Sequence, residues 1–336
     1  MIKVLSLFDG IAGAKQALKE LNIDCDYYAS EIDKFAIQVS KNNHADIVQI
    51  GNVKGIQIED NYIFYNQDSD PMQNGGSFKS DVDLLIGGSP CQSFSIAGNQ
   101  KGFEDPRGQL FFEYVRILKE IKPKFFILEN VSSMKKEAKN EITSYLFGIE
   151  PILINSSLLT AQQRKRIYWI GRLGLDGNYT KVEISQPKDK GILLRDILES
   201  GLPYQEKAHA LTASYDGAVF WNSIEKKQRS MIAEPVRLGH FNKGGQADRI
   251  YSVVGKSICL GANGGGGGAN TGLYKINLPD GDYVVRKLTP NECEKLQGFP
   301  DNYSKCISNT QRYKALGNSF TVPVIKHILQ HLFFEV

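Results

Sequence analysis

The chain has 336 residues, which predicts either one large α/β domain with an insertion or two domains. Hydrophobic residues make up 41% and charged residues 23% of it, so a packed core is expected and extensive disorder is not. The net charge of +3 balances 40 basic against 37 acidic residues and excludes neither a nucleic acid nor a small anion as partner. No apolar run is long enough to cross a membrane.

The cysteines and the first residues bear on the cellular setting. Five cysteines lie far apart without a CxxC pair, which argues against a disulfide framework or a zinc site and favours a reducing cytoplasm. Residues 1–8 are too short and too quickly polar for a signal peptide and are expected to form the first strand. We therefore expect a cytoplasmic protein that binds no metal and no membrane.

Strand and helix signals alternate over residues 1–180. Apolar runs predict strands near residues 2–8, 26–31, 82–86, 125–128, 151–155 and 166–170. Between them, apolar residues at helical spacing predict helices, most clearly from Leu110 to Ile121. This order predicts an α/β fold with a doubly wound, mostly parallel sheet. Residues 59–80 are polar and are expected to form a long surface loop.

The pattern changes after residue 180. Residues 181–285 hold short runs and glycine-rich stretches, and residues 226–256 contain seven basic and two acidic side chains. We expect a smaller, basic recognition domain that is mainly irregular or β. Helix signals return from Arg286, so residues 286–336 are expected to complete the domain formed by residues 1–180.

The first strand–helix turn favours a nucleoside-type cofactor. Small residues in Phe8-Asp9-Gly10-Ile11-Ala12-Gly13 let main-chain N–H groups approach a ligand closely. Glu31 ends the second strand, where a carboxylate accepts hydrogen bonds from ribose hydroxyls. The GxGxxG pattern is absent, so S-adenosylmethionine is favoured over a nicotinamide cofactor. A plain tight turn remains the alternative.

Three further motifs follow apolar strands or lead into them. Cys91 lies in a Gly/Pro-rich loop after a strand, where a nucleophile or an inert small side chain is possible. Glu129 ends the next strand and fits either a helix cap or a proton-donating acid. Arg164 and Arg166 lead into another strand, and alternate residues share a face. A solvated charge run is the alternative there.

Taken together, these motifs resemble the DNA (cytosine-5)-methyltransferases of the HhaI type. The matches occur in the order of that family and cover nearly the whole chain outside residues 180–285. They are Phe8-Asp9-Gly10, Glu31, Ser89-Pro90-Cys91-Gln92, Glu129-Asn130-Val131, the QxRxR of Gln162, Arg164 and Arg166, Arg286-Lys287-Leu288-Thr289-Pro290 with Glu292, Leu296-Gln297-Gly298-Phe299-Pro300, and Gly317-Asn318-Ser319.

The resemblance implies a fold of the S-adenosylmethionine-dependent methyltransferases and a set of catalytic residues. Cys91 would add to carbon 6 of cytosine, and Glu129 would bind ring N3 and the exocyclic amine. Arg166, together with Arg164, would hold the O2 atom. The base must leave the duplex to reach them. The stretch from Gln92 to Leu110 would close over it.

It also implies a cofactor site with two departures from the family pattern. Asn52 stands where an aspartate usually contacts the adenine amine, and Ile32 stands where an aromatic side chain often stacks on the ring. The positions carried over are Phe8, Gly10, Glu31, Ile32, Asn52, Leu110, Asn318 and Ser319.

Residues 181–285 correspond to the target-recognition domain of the family. Arg249 suits a bidentate contact with guanine, and Gln246 could fill the gap left by the flipped base. The implied partner is double-stranded DNA with a short GC-containing site such as GCGC, bound by a monomer. A cognate restriction endonuclease is a possible further partner. The implied location is the cytoplasm of a bacterial or phage-infected cell, in association with the nucleoid.

Three other functions compete with this interpretation. An RNA (tRNA) cytosine-5 methyltransferase would share the same core. A nicotinamide-dependent oxidoreductase would leave Arg164, Arg166 and Gly317-Asn318-Ser319 unexplained. A DNA-binding protein with a decayed core would not require Cys91, Glu129 and Arg166 to be intact.

Overall fold

The computed structural model describes residues 1–65, 75–89, 109–203, 205–219, 229–235, 250–252, 273–278 and 281–334. The strands are β1 (Ile2–Leu7), β2 (Cys25–Ser30), β3 (Val48–Gln49), β4 (Gln57–Glu59), β5 (Tyr62–Tyr65), β6 (Gly76–Lys79), β7 (Leu84–Gly87), β8 (Phe125–Val131), β9 (Ile152–Asn155), β10 (Gln162–Gln163), β11 (Lys165–Leu173), β12 (Tyr179–Lys181), β13 (Leu202–Pro203), β14 (Ala208–His209), β15 (Met231–Pro235), β16 (Ile250–Ser252), β17 (Leu273–Leu278) and β18 (Gly281–Lys287). The helices are α1 (Gly13–Glu20), α2 (Lys34–Asn43), α3 (Leu110–Ile121), α4 (Lys136–Tyr145), α5 (Pro290–Gln297), α6 (Asn309–Asn318) and α7 (Val322–Phe333).

Within the described residues, the central sheet has eight strands in the order β12-β11-β8-β7-β1-β2-β3, with β9 beside β11. Strands β8, β7, β1, β2 and β3 are parallel, whereas β11 runs antiparallel to β8, β9 and β12. The predicted doubly wound, mostly parallel α/β sheet is therefore confirmed. Parallel strands bring their carboxyl ends to one edge, which is where open sheets of this kind bind ligands.

Helices cover both faces because successive strand side chains point to opposite sides. Val4 of β1 belongs to the cluster packed with α1, α2, α5, α6 and α7, whereas Leu5 belongs to the cluster packed with α3 and α4. Ile127 and Leu128 of β8 divide in the same way. Both faces of the sheet are therefore buried under helices, which explains the nearly continuous apolar runs of its strands.

The return segment enters the core through a well-capped helix. The Thr289 side chain accepts a hydrogen bond from the N–H of Glu292, whose carboxylate accepts one from the N–H of Thr289. Pro290 takes the first helical position, where its missing N–H costs nothing. Helix α7 then packs on α1.

The expectation of a surface loop over residues 59–80 is wrong for its described part. Strands β4, β5 and β6 form a three-stranded antiparallel sheet. Ile63 and Phe78 point inward and are buried, and Phe78 stacks on Tyr28 at 3.6 Å between ring centroids. Alternating apolar residues on short strands therefore outweighed the polar composition of the segment.

A second sheet, in the order β13-β15-β18-β17-β16, lies within residues 181–285 except for the last two residues of β18. The first part of this region also joins the main core, because Leu194, Ala208, Leu211 and Tyr215 are buried in the same cluster as α5, α6 and α7. Strand β14 pairs with β10, next to β11. The domain boundaries at residues 180 and 285 stay a prediction. In the described part of the chain, no helix is long and apolar enough to cross a membrane.

Candidate active site

One pocket of about 330 Å³ opens at the carboxyl edge of the parallel strands. Every predicted site residue that the structure describes lines it, with the exception of Ser319. They are Phe8, Gly10, Glu31, Ile32, Asn52, Leu110, Glu129, Arg164, Arg166 and Asn318. The turns after β1, β2, β3 and β7 thus meet the end of β8 and the last turn of α6.

The turn after β1 leaves open space on its pocket side. Phe8 and Ala12 have φ values of 59° and 60°, and Gly10 has a φ of 61°. Positive φ is unfavourable for the two non-glycine residues and indicates a backbone held by its surroundings. No atom lies within 4 Å of the position that a Cβ of Gly10 would take. A ligand can therefore approach the main chain there.

The Glu31 carboxylate is held by three main-chain N–H groups. Its Oε2 accepts a hydrogen bond from Gly10 at 2.8 Å, and its Oε1 accepts from Ile32 at 2.7 Å and Asp33 at 2.8 Å. These bonds orient the side chain, and because Oε1 already accepts two of them, the remaining lone pair of Oε2 is available to a ligand hydroxyl. Next to it, the Ile32 side chain is 66% exposed and offers an apolar surface.

Asn52 begins a short 3₁₀ turn, Val53–Gly55. Its Oδ1 caps this turn by accepting a hydrogen bond from the N–H of Lys54 at 3.1 Å. An amide oxygen has two lone pairs, so one remains for a ligand.

Asp9 is a buried acid directly beneath this edge. Its Oδ1 accepts hydrogen bonds from the hydroxyls of Ser6 and Tyr27, both at 2.6 Å, while its buried Oδ2 has no partner among the described residues. Burial raises the pKa of Asp9 to about 7, against the lowering effect of the two hydroxyls and with a smaller contribution from the negative charge of Glu31.

Glu129 and Arg166 form an ion pair in the pocket. Arg166 Nε lies 2.8 Å from Glu129 Oε1, and both side chains are largely buried. The pairing of β8 with β11 sets this contact. A Cβ at Gly88 would lie 3.1 Å from Glu129 Oε2 and 3.2 Å from the Phe320 ring. Glycine at this position therefore gives the carboxylate its room.

Arg164 lines the same pocket but its guanidinium has other partners. Nη1 donates to the carbonyl of Leu211 at 2.7 Å, and Nη2 donates to the carbonyls of Gly317 and Ser319, both at 3.1 Å. The Ser319 hydroxyl donates to the carbonyl of Leu316 at 2.9 Å. Residues 317–319 are thus fixed by Arg164, and Asn318 lies between the two carbonyls that it holds.

Three predicted residues lie outside the described part of the chain: Cys91, Gln246 and Arg249. The same holds for residues 92–108 of the expected closing loop. Ser89, two residues before Cys91, is buried in the pocket wall, and its Oγ accepts a hydrogen bond from Asn130 Nδ2 at 3.3 Å.

Sequence reasoning missed one wall of the pocket, the face of α6 with Gln311, Lys314 and Ala315. Lys314 Nζ lies 2.7 Å from Asp33 Oδ2 and connects this wall to α2. With Asn318, these positions have the i, i+3, i+4, i+7 spacing of one helix face. That spacing, extended backward from the Gly317-Asn318-Ser319 motif, is the signal that could have identified them.

Among the described residues, no three His, Cys, Asp or Glu side chains cluster in a way that could hold a metal. The arrangement instead offers a carboxylate and an apolar surface on one side of the pocket and a carboxylate–guanidinium pair on the other. It can bind a nucleoside beside a second polar ring.

Comparison with known proteins agrees with this geometry. A family model described as C-5 cytosine-specific DNA methylase matches residues 2–333. The type II methyltransferase M.HhaI of Haemophilus parahaemolyticus is 33% identical over 345 residues, covering 98% of this chain and 94% of the relative. M1.ScrFI of Lactococcus lactis subsp. cremoris is 31% identical, covering 98% of this chain and 77% of the relative.

Solved structures support the fold class. The Entamoeba histolytica methyltransferase EhMeth superposes with a TM-score of 0.59 at 20% identity, over 100% of this chain and 98% of that one. The S. pombe Dnmt2 methyltransferase gives a TM-score of 0.57 at 18% identity, over 99% and 98%. At these identities the likeness concerns the fold alone.

Proposed function

Because the chain belongs to the C-5 cytosine-specific DNA methylase family and is a DNA (cytosine-5)-methyltransferase, we propose that it methylates a flipped cytosine within a short duplex site. The methyl donor is S-adenosylmethionine, and Cys91 forms a transient covalent bond to the base. The observation that carries this proposal is that Glu31 and the Glu129–Arg166 ion pair line one and the same pocket.

The donor fits the Glu31 side of the pocket. The open main chain at Gly10 admits a ligand, Oε2 of Glu31 can accept a hydrogen bond from a ribose hydroxyl, and exposed Ile32 can pack against adenine. Asn52 lies beside them with one lone pair of its Oδ1 left for the adenine amine. S-adenosylmethionine supplies an electrophilic methyl group when it is bound there.

The base side of the pocket activates cytosine. The Cys91 thiolate adds to carbon 6, and the electrons displaced toward the ring make carbon 5 nucleophilic. Glu129 accepts a hydrogen bond from the exocyclic amine and, as the proton-donating acid, supplies the proton that N3 takes up, while Arg166 binds O2, so that the negative charge developing on the ring is stabilised. After carbon 5 takes the methyl group, a base such as water removes its proton and Cys91 leaves.

Recognition of the site is assigned to residues 181–285, with Arg249 on guanine and Gln246 in the gap left by the flipped base. We propose a monomer that acts on chromosomal or plasmid duplex DNA in a bacterial or phage-infected cell, alone or beside a cognate endonuclease. The type II names of the relatives support the second arrangement.

Bisulfite sequencing of plasmid DNA tests the proposal. Cells that express the chain should protect one cytosine of a short repeated motif, and cells that express Cys91→Ser should protect none. A tRNA sample from the same cells separates DNA from RNA methylation. The proposal fails if plasmid cytosines stay unprotected, or if the Cys91→Ser chain protects them as well as the original chain does.

A further inference from the structure

Arg164 is almost completely buried, with 4% of its surface exposed, although it lines the pocket. A buried guanidinium requires hydrogen-bond partners, and it finds three of them in main-chain carbonyls. Those carbonyls belong to two segments that are about 100 residues apart in the sequence. The Arg164 guanidinium therefore joins residue 211 to residues 317–319.

The two glutamines nearest this junction make similar connections. The N–H of Leu211 donates to Gln162 Oε1 at 2.6 Å, and Gln162 Nε2 donates to the carbonyl of Leu296 at 3.1 Å. Gln297 Nε2 donates to the carbonyl of Leu316 at 2.6 Å. Both glutamine side chains are fully buried. The segments meet through a connected polar network, and such networks are rigid when they are satisfied.

Main-chain packing at Gly317 tightens the same junction. A Cβ on Gly317 would lie 2.2 Å from the carbonyl carbon of Thr212 and 2.3 Å from the nitrogen of Ala213. Only glycine permits this approach. Residues 211–213 therefore lie directly against the segment that presents Asn318 to the pocket.

We propose that Arg164 is a positioning residue of the donor site and not a contact of the target base. It holds the carbonyls on both sides of Asn318 and so fixes the wall of the pocket that faces the methyl donor. The same guanidinium ties this wall to Leu211, which belongs to the expected recognition region of residues 181–285. Donor binding and the recognition region are thereby coupled through one side chain. This inference rests on the proposed function, because it assigns the donor to this pocket.

The two arginines make a matched experiment. Calorimetric titration with S-adenosylmethionine in the absence of DNA should show the dissociation constant of Arg164→Met raised by roughly tenfold or more, because charged hydrogen bonds to main-chain carbonyls are lost. Arg164→Lys should recover part of the affinity. Arg166→Met should bind the donor like the original chain and lose methyl transfer instead. The affinity for S-adenosylmethionine distinguishes a residue that positions the donor site from one that contacts the target base. A residue that only contacts the base has no partner when DNA is absent, so its loss should leave donor binding unchanged.

The opposite result overturns the inference: Arg164→Met binds the donor normally but has a depressed kcat at saturating donor and DNA. Hydrogen exchange on the original chain gives a second test that needs no variant. Adding the donor should slow exchange in peptides covering residues 208–213 as well as residues 316–321. Slowing confined to residues 316–321 contradicts the coupling. Failure of the proposed function itself looks different, because the original chain would then bind no donor at all.

Discussion

The two ends of the central sheet carry pockets of different size and chemistry. The pocket at the amino edge of the strands is the larger, at about 950 Å³ against about 330 Å³ at the carboxyl edge. Two of its charged groups pair with each other: Lys15 Nζ lies 2.5 Å from Asp46 Oδ2 and also hydrogen-bonds to the Cys25 sulfur at 3.4 Å. His44 hydrogen-bonds to the Tyr303 hydroxyl at 3.1 Å.

The smaller pocket differs in how its groups are presented. Strand-to-helix turns bring main-chain N–H groups and open backbone to its surface, and Glu129 faces Arg166 across antiparallel strands. Helix N-termini point to this edge and favour ligands with hydrogen-bond acceptors. The comparison teaches that the direction of the strands, and not the volume of the cavity, decides which end of the sheet can bind a ligand and catalyse a reaction.

Replacing one carboxylate at each end is the strongest way to break this comparison. Glu129→Gln keeps the shape but removes the charge that Arg166 faces, and kcat should fall about 100-fold or more. Asp46→Asn at the opposite edge should leave kcat unchanged. Single-turnover transfer of a radiolabelled methyl group measures both. Equal losses in the two variants would remove the distinction between the two edges.

A smaller effect is expected from Gly88→Ala. Its new methyl group would press on Glu129 Oε2 and on Phe320, displace the carboxylate and lower kcat roughly 10- to 100-fold. Gly217→Ala is the matched control, since no atom lies within 4 Å of that Cβ position. Steady-state rates at saturating donor and DNA decide the point. An alanine at position 88 with the full rate would mean that the placement of Glu129 is not critical.

Donor affinity should respond to Ile32. Ile32→Ser removes the exposed apolar surface beside Glu31 and should weaken S-adenosylmethionine binding about tenfold, with kcat preserved. Leu175→Ser, which alters another exposed apolar side chain outside the pocket, should bind the donor normally. Calorimetry gives both constants. Equal affinities in the two variants would place the adenine elsewhere.

The smallest expected effect concerns stability. The folded chain holds the Asp9 proton up to a pKa of about 7, whereas the unfolded chain releases it near pH 4. Between these values only the folded state binds the proton, so stability contributed by Asp9 is present at low pH and is lost as pH rises toward 7. The change between pH 5 and pH 8 amounts to about 2 to 3 kcal/mol.

The asparagine side chain of Asp9→Asn resembles the neutral carboxyl group and does not titrate. This variant should therefore not lose stability between pH 5 and pH 8 through position 9. Because other groups titrate in both proteins alike, the quantity to compare is the change in unfolding free energy between pH 5 and pH 8. The exposed Asp60→Asn variant controls for the loss of a carboxylate. The same pH dependence in Asp9→Asn and in the original chain would show that Asp9 is ionised throughout.

Much of the carboxyl-edge site could be predicted from the sequence because its residues follow apolar strands. Glu31 and Glu129 stand at strand ends, and parallel strands carry their ends to one edge. The periodicity of Leu110 to Ile121 likewise gave α3, whose buried residues include Tyr114 and Leu118. Local pattern was sufficient in these cases.

Other features depend on contacts between distant parts of the chain. The partners of Arg164 lie at residues 211 and 317–319, and no local spacing shows that a guanidinium next to a strand is buried among carbonyls. The sheet of β4, β5 and β6 was missed because its strands are only three or four residues long. The prediction of a loop followed the polar composition of the segment, although Ile63 and Phe78 are buried on the inward face of this sheet.

The most direct test of the central claim is a crystal structure of the complex that forms when S-adenosylmethionine methylates a duplex carrying 5-fluorocytosine at the target position, with the product S-adenosylhomocysteine still bound. Fluorine cannot leave as a proton does, so the bond from Cys91 to the base should persist. The account predicts the nucleoside between Gly10, Glu31 and Ile32, and the extruded ring against Glu129 and Arg166. A nucleoside at the amino edge near Lys15, or a base held away from Glu129, would contradict it.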